Sequence, residues 1–457
     1  MKRAERAVAL ACTFLAFGCG DETKSFAPTD VQAGPNPVVA TLTQVTWTTS
    51  APSIGYVSYG LTQSLGTTTT LEAQDATTHE VNLYGLTPNT QYYYQVVTWD
   101  GADAGESSIQ TLTTGAPPSD LPAFTKTGDT SENGMDEIVL LPVTVGASSV
   151  IVAVAPSGQV LWYHVADGGQ TVTRVRFSKD GTSVLYGSID PAGQNSEIIR
   201  VALDGKSQVT WKVPGLGPDF VELSNGNFAA IVADTQTSNG ATLKGDKIVE
   251  ITPNDQSTDI VSMWSCFDPA KFPGDGTNGE WTGADALTVN EGASTTDESD
   301  DVFYLGLRNL STVVEVPRAS GKCDWVLGAA APTLAFDTAA NAFVHQGGLV
   351  ISGTSLLVLD ADGAPGTSRG MQYALDLNAK TATETWTYTP SPAVHVTSLG
   401  AVSPLTGNRW LVNWSTAGKL ELVNDMNQVL WSLTGPAGST FGYHVRTDSI
   451  DAPENKP

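Results

Sequence analysis

Tryptophan punctuates this chain at intervals that few folds can accommodate. Six segments run out of a turn into a short strand pattern and stop on it: GQVLW at Trp162, SQVTW at Trp211, IVSMW at Trp264, GKCDW at Trp325, ATETW at Trp386 and NQVLW at Trp431. The intervals are 49, 53, 61, 61 and 45 residues, the length of a four-stranded antiparallel sheet with variable loops. One such sheet cannot bury both of its faces, whereas six packed side by side in a ring can. The repeat therefore predicts an all-β chain with a six-bladed β-propeller over residues 123–450. A second repeat, a strand entering a glycine turn and leaving as a strand, recurs as VRFSKDGTSVLY, VELSNGNFAAIV, LVISGTSLLVL and VSPLTGNRWLV.

Composition agrees and excludes some partners. Forty-five glycines and a charged fraction of only 16% favour short strands and tight turns over helices. With 48 acidic against 23 basic residues, the net charge of −25 would repel nucleic acid and other polyanions. The acidic run TTDESDD at 295–301 lacks the spaced glycine of a calcium loop and reads as a solvated insertion. No metal site is expected.

The N-terminus places Lys2, Arg3 and Arg6 before an apolar run from Ala7 to Phe17, the pattern of a secretory signal too short to span a bilayer permanently. LAFGC resembles a bacterial lipobox, with Ala16 where leucine is usual, so residues 1–19 read as a signal ending at a lipidated Cys19. Residues 20–26 are then a tether, and the chain is expected outside the cytoplasm, held to a membrane by its N-terminal lipid. Cleavage without lipidation would leave it secreted. Of the four cysteines, only Cys266 and Cys323 remain in the mature body, where an oxidising compartment favours a disulfide between them over two separate buried thiols.

Between tether and propeller, residues 27–115 carry Trp47 and the run Leu86-x-Pro88-x-Thr90-x-Tyr92, which resembles the tyrosine corner of a fibronectin type III domain. The resemblance implies a β-sandwich acting as a spacer, with the Tyr92 hydroxyl bonded to nearby backbone and His79 on a strand or at the surface. The proline-rich stretch at 116–122 reads as a linker.

In a propeller, residues just before the innermost strand of each blade face the axis. Counting back seven or eight positions from the turn glycines selects Arg174, Asp219 and His345, the last in NAFVHQGG. His345 is one of five histidines. His164 and His444 read as strand or loop residues, and the register of His395 is open.

The stretches LGLRNLSTVVEVPRASGKCDWVLG, GPDFVELSNGN, GEWTGADALTVN, FVHQGG and GTSRGMQYALDLNAKTATETWTY resemble, in order, the bacterial arylsulfotransferases. That resemblance implies transfer of a sulfuryl group between phenols through a histidine, with arginines holding the sulfate oxygens and no metal or other cofactor. The family's His-His-Asp run falls here on Gly217, Pro218 and Asp219, the histidine of its Trp-x-His-x-Asn-Ser run on Gly283, and its His-Gln-His-Asp run on His345, Gln346, Gly347 and Gly348, while Arg308 and Arg369 match its arginines. His345 and Arg308 are therefore the catalytic candidates, and Arg369, Asp219, Asp285 and Gln346 the substrate-binding ones. Asp219 and Asp285 are expected to neutralise the two arginines. Three readings follow: an altered site that binds an aryl sulfate, a phenol or an envelope protein without turnover; a working transferase rearranged around His345; and an envelope scaffold.

Overall fold

A computed structural model describes residues 27–99, 104–131, 134–166, 169–238, 240–253, 257–276, 279–292, 298–364 and 366–457. The signal, the lipobox with Cys19, the tether and the first part of the acidic run lie outside them. The described chain is all-β, its helical content confined to five short 3-10 turns, and no helix among the described residues is long and apolar enough to cross a membrane. It divides into two compact units: residues up to 32 with 45–81 and 93–111, and residues 33–44 with 82–92 and 112–457.

Within the first unit, the long strand Thr43–Gly60 pairs with Gln91–Trp99, and its alternate residues Val45, Trp47 and Val57 are buried. This alternation is the period-2 pattern of a half-buried strand. His79 is a strand residue but not a surface one. It stacks on Trp47 with ring centroids 4.7 Å apart, and its ring nitrogens meet Thr49 Oγ1 at 3.1 Å and Glu72 Oε2 at 2.8 Å. Elsewhere, in the second unit, the Tyr92 hydroxyl accepts from the Thr87 amide at 3.0 Å.

Six sheets form the propeller. Blades 2, 3 and 4 are consecutive four-stranded meanders with innermost strands Thr171–Phe177, Leu216–Glu222 and Ala284–Asn290. Blades 5 and 6 begin on Gly347–Ser352 and Ala401–Leu405. Blade 1 is assembled from both ends of the repeat. Its middle and outer strands are Ile138–Val145, Ser148–Val154 and Val160–Val165, while its innermost position is filled from the far end of the chain by Ser439–Phe441 and Val445–Thr447. Reciprocally, Thr125–Gly128 adds a fifth, outermost strand to blade 6. The ring is closed twice.

The tryptophans explain their own periodicity. Four stand on the fourth strand of their blade counted from the axis, and each donates its indole N–H to the last turn of the following blade: Trp162 to Leu203 O at 2.7 Å, Trp211 to Pro253 O at 3.2 Å, Trp386 to Asn427 Oδ1 at 3.1 Å and, around the closure, Trp431 to Pro156 O at 2.8 Å. The ring body fills the space between blades while its one donor is satisfied across the boundary. Burying on the order of 200 Å² at about 25 cal/mol per Å² contributes roughly 5 kcal/mol gross for a fully buried ring. Trp264 and Trp325 break the pattern. Trp264 turns back to Asp234 O in its own blade, and Trp325 packs on Tyr304. At this boundary a covalent link stands instead: Cys266 and Cys323 are disulfide-bonded, their Cα atoms 5.8 Å apart, joining the outer edges of blades 3 and 4.

Candidate functional site

The axis is filled by a hydrogen-bonded layer built from five blades. Asp219, on the innermost strand of blade 3, is fully buried and takes Arg174 of blade 2 in a fork, Oδ1 from Nε at 2.7 Å and Oδ2 from Nη2 at 2.6 Å. Arg176 Nη2 adds a contact at 3.3 Å, and the amides of Phe220 and Leu287 donate to the same carboxylate at 2.8 and 2.9 Å. Two neighbouring residues of one strand normally face opposite sides, but Arg174 and Arg176 are two apart and share the axial face. The Arg174 guanidinium lies 4.3 Å from the centre of the Tyr443 ring, a cation–π contact. Tyr443 in turn donates to Asp285 Oδ2 at 3.3 Å and accepts from the Gly348 amide at 3.3 Å.

Above this layer opens a funnel of about 290 Å³ whose lining includes Gly217, Pro218, Lys244, Asp246, Asp285 and Arg308. Its two buried carboxyls resist ionisation. Burial pushes Asp285 up to about 8 against the opposing charge of Arg308, and its Oδ1 has no hydrogen-bond partner. Burial likewise lifts Asp246 to about 6, although it accepts from Thr282 Oγ1 at 2.6 Å and the Ala284 amide at 2.7 Å.

A second cluster surrounds Asp362 at the entry to blade 5. Its Oδ2 meets His345 Nδ1 at 2.6 Å, its Oδ1 meets His395 Nε2 at 2.7 Å, and Arg308 Nη2 stands 3.9 Å away. Burial works against the Asp362 charge, yet the two histidine hydrogen bonds hold its carboxyl below the ordinary value. The other nitrogen of His345, Nε2, faces Asp275 Oδ2 at 2.6 Å. Both ring nitrogens thus lie within hydrogen-bond distance of a carboxylate.

His345 reaches this position because its backbone is left-handed, φ 51°, and the strand begins only at Gly347. The rule that residues two apart share a face therefore does not govern it. The glycines that follow are closely packed: a Cβ on Gly347 would lie 2.8 Å from Gly400 O, and one on Gly348, at φ 60°, 2.8 Å from Ala401 Cα. A Cβ on Gly217 would meet Ile231 at 2.7 Å. Histidine has no room at these places.

The expected pairing of charges is different in the structure. Asp219 pairs with Arg174 and Arg176, not with Arg308 or Arg369, because its strand sits beside blade 2 at the depth of the axis. Asp285 bonds to Tyr443. Arg369 pairs with Asp360 at 2.6 Å and donates to the carbonyls of Ala340 and Ala342, which fixes the approach to His345 instead of facing the funnel. Gln346 is buried, its Nε2 bonded to Thr312 O at 2.8 Å and its Oε1 without a partner. His395 joins the Asp362 cluster. His444, read from sequence as a strand or loop residue, is buried beside the axis, where burial first and then Arg446 and Arg174 push its pKa down to about 3. In the acidic run, Glu298 and Asp301 are paired with Arg318, so its described part is not simply solvated. Sequence reasoning missed Arg176, Tyr443, Asp275 and Asp362. The DAD spacing of Asp360 and Asp362 was a signal for one of them, since alternate residues at a strand end share a face. Among the described residues, no group of His, Cys, Asp and Glu side chains is placed to hold a metal ion.

No curated protein sequence matches this chain. Among solved structures, similarity is recorded to a protein of unknown function from Bacteroides caccae, at 11% identity and a TM-score of 0.41, covering 68% of this chain and 98% of that one. It is also recorded to the periplasmic gluconolactonase of Pseudomonas aeruginosa, at 14% identity and a TM-score of 0.38, covering 87% and 99%. The arylsulfotransferase (ASST) family model matches residues 124–343, a little under half of the chain, and that segment of the propeller is similar to that family.

Proposed function

We propose that this protein is an arylsulfotransferase-like lipoprotein outside the cytoplasm, whose funnel binds a small aromatic anion, or a partner presenting one, without transferring a sulfuryl group. The family match over 124–343 supports the sulfotransferase relationship. The observation that carries the loss of transfer is the state of His345. Attack on sulfur needs an imidazole nitrogen with a free lone pair, and here Asp362 and Asp275 engage both nitrogens. Glycine stands at the positions where the resemblance places other histidines, and its packing leaves them no substitute. Arg308 remains at the funnel and supplies the cationic donor for a bound sulfate ester. The disulfide fits an oxidising compartment, and the Tyr92–Thr87 hydrogen bond fits a fibronectin-like spacer behind the lipid at Cys19.

The test is a chromogenic aryl sulfate with excess phenol. We expect no catalytic release and no sulfated histidine by mass spectrometry, with aryl sulfate binding by calorimetry that weakens about tenfold or more in Arg308→Ala. Steady phenol release abolished by His345→Ala would establish the rearranged transferase instead, and absence of both binding and turnover would leave a scaffold. Membrane fractionation tests the anchor: Cys19→Ser should abolish it, and a mature chain starting beyond residue 19 would overturn it.

A further inference from the structure

The axis holds a second chamber that shares no lining residue with the funnel. It measures about 190 Å³ and is walled by the innermost strands of blades 1, 2, 4, 5 and 6; its polar lining comes from Arg174, Arg176, Thr288, Ser403, His444 and Asn455. Asn455, whose side chain makes two hydrogen bonds to the backbone of Phe177, and Pro457, whose carbonyl accepts from Arg446, lie along the wall.

The charges around this chamber do not cancel. Arg174 and Arg176 have only Asp219 between them, since the next carboxyl in the layer, Asp285, is held protonated by burial at neutral pH. Burial, and then the neighbouring Arg174, press on the Arg176 charge itself, bringing its pKa down to about 10, which leaves it a full cation. His444 is neutral at that pH. Among the side chains here, one net positive charge therefore sits where side-chain exposure is 10% for Arg174 and 16% for Arg176, and an uncompensated buried cation is costly.

The donors are also unspent. Arg174 uses Nε and Nη2 on Asp219, and Arg176 uses Nε on Phe220 O and Nη2 on Asp219 and Leu287 O. Among the described residues, the Nη1 group of neither arginine has a hydrogen-bond partner. His444 Nδ1 lies 3.5 Å from Asn413 Nδ2, and its Nε2 lies 3.3 Å from Ser403 Oγ. The Ser403 hydroxyl stands on the chamber wall and is itself a potential donor.

We propose that this chamber is a binding site for one small oxyanion, of the size and charge of inorganic phosphate or sulfate, held by Arg176, Arg174 and the Ser403 hydroxyl. The volume admits such an ion with a few waters. The protein's net charge of −25 works against adventitious anion binding elsewhere, so a saturable effect has few other sources. The site is independent of the funnel reading.

Inorganic phosphate and sulfate, titrated against chloride at matched ionic strength, provide the probe, with thermal unfolding and calorimetry as readouts. Either oxyanion should raise Tm saturably. Arg176→Gln should weaken binding about tenfold or more, and Ser403→Ala by a few fold with the fold intact by circular dichroism. Arg308→Ala, in the funnel, should leave the effect in place. A Tm rise equal in chloride, or one unchanged in both Arg176→Gln and Ser403→Ala, or one lost in Arg308→Ala, would overturn the proposal.

Discussion

Two aspartates in this propeller each gather several polar partners, yet they do different work. Asp219 has no exposed side-chain surface and is held by Arg174, Arg176 and two backbone amides. Asp362 is 30% exposed and is held by His345, His395 and, at 3.9 Å, Arg308. The two arginines are permanently charged and reach from blade 2 into blade 3, and the Leu287 amide reaches from blade 4, so the set fastens three blades together at depth. The second set is titratable and stands where water competes. Depth, not the number of partners, decides which cluster is structural, because the cost of leaving a charge alone rises steeply as solvent is removed.

The sharpest way to break this comparison is to remove each carboxylate in turn. Asp219→Ala strands two buried guanidinium groups and should cost about 3–5 kcal/mol in urea unfolding. Asp362→Ala, in the wet cluster, should cost under about 1 kcal/mol. Equal losses would mean that the Asp362 cluster is as structural as the axis.

A smaller effect sharpens it through pH. Because Asp285 has a folded pKa near 8, above its unfolded value, the native state binds more protons and stability should fall as pH rises towards 8. His444 acts oppositely: its folded pKa near 3 lets stability rise with pH from about 3 up to the ordinary histidine range. The window between about pH 6.5 and 8 is therefore governed by Asp285, with a slope up to about −1.4 kcal/mol per pH unit. Asp285→Asn should flatten that slope, and a slope unchanged by the substitution would show that another group carries it. The smallest expected effect separates the clusters by salt. Raising sodium chloride from 0.05 to about 0.5 M should reduce the stability difference between wild type and Asp362→Ala by a few tenths of a kcal/mol, while the Asp219→Ala difference stays put.

The ring was legible in the sequence because its repeat is local: four of the six tryptophans stand on the fourth strand of a blade, and a strand followed by a turn glycine marks the axis. Arg174 and Asp219 fell out of that count. What joins them did not, since Tyr443 comes from the far end of the chain and Asp362 from a strand end 17 residues beyond the blade's expected axial position, His345. A periodicity argument assigns registers one blade at a time and says nothing of which blades touch across the centre. His345 illustrates a second limit. Its left-handed backbone, one residue before the buried Gln346, removes it from the strand register on which the count depends. The glycines at 347 and 348 read as losses when set against a family pattern, and in the structure they are close-packed parts of the wall.

The segment from Ser439 to Thr447 fills the innermost place in blade 1, and Tyr443 and His444 sit in the middle of it. The seam of the ring and the centre of the ring are thus one piece of chain. A propeller whose last strand peels away would lose the ring under Arg174 and the imidazole beside Ser403 in the same step, so partial opening cannot leave a working axis behind. Amide hydrogens along 439–447 should accordingly exchange together, as a single cooperative unit with the axial strands they meet.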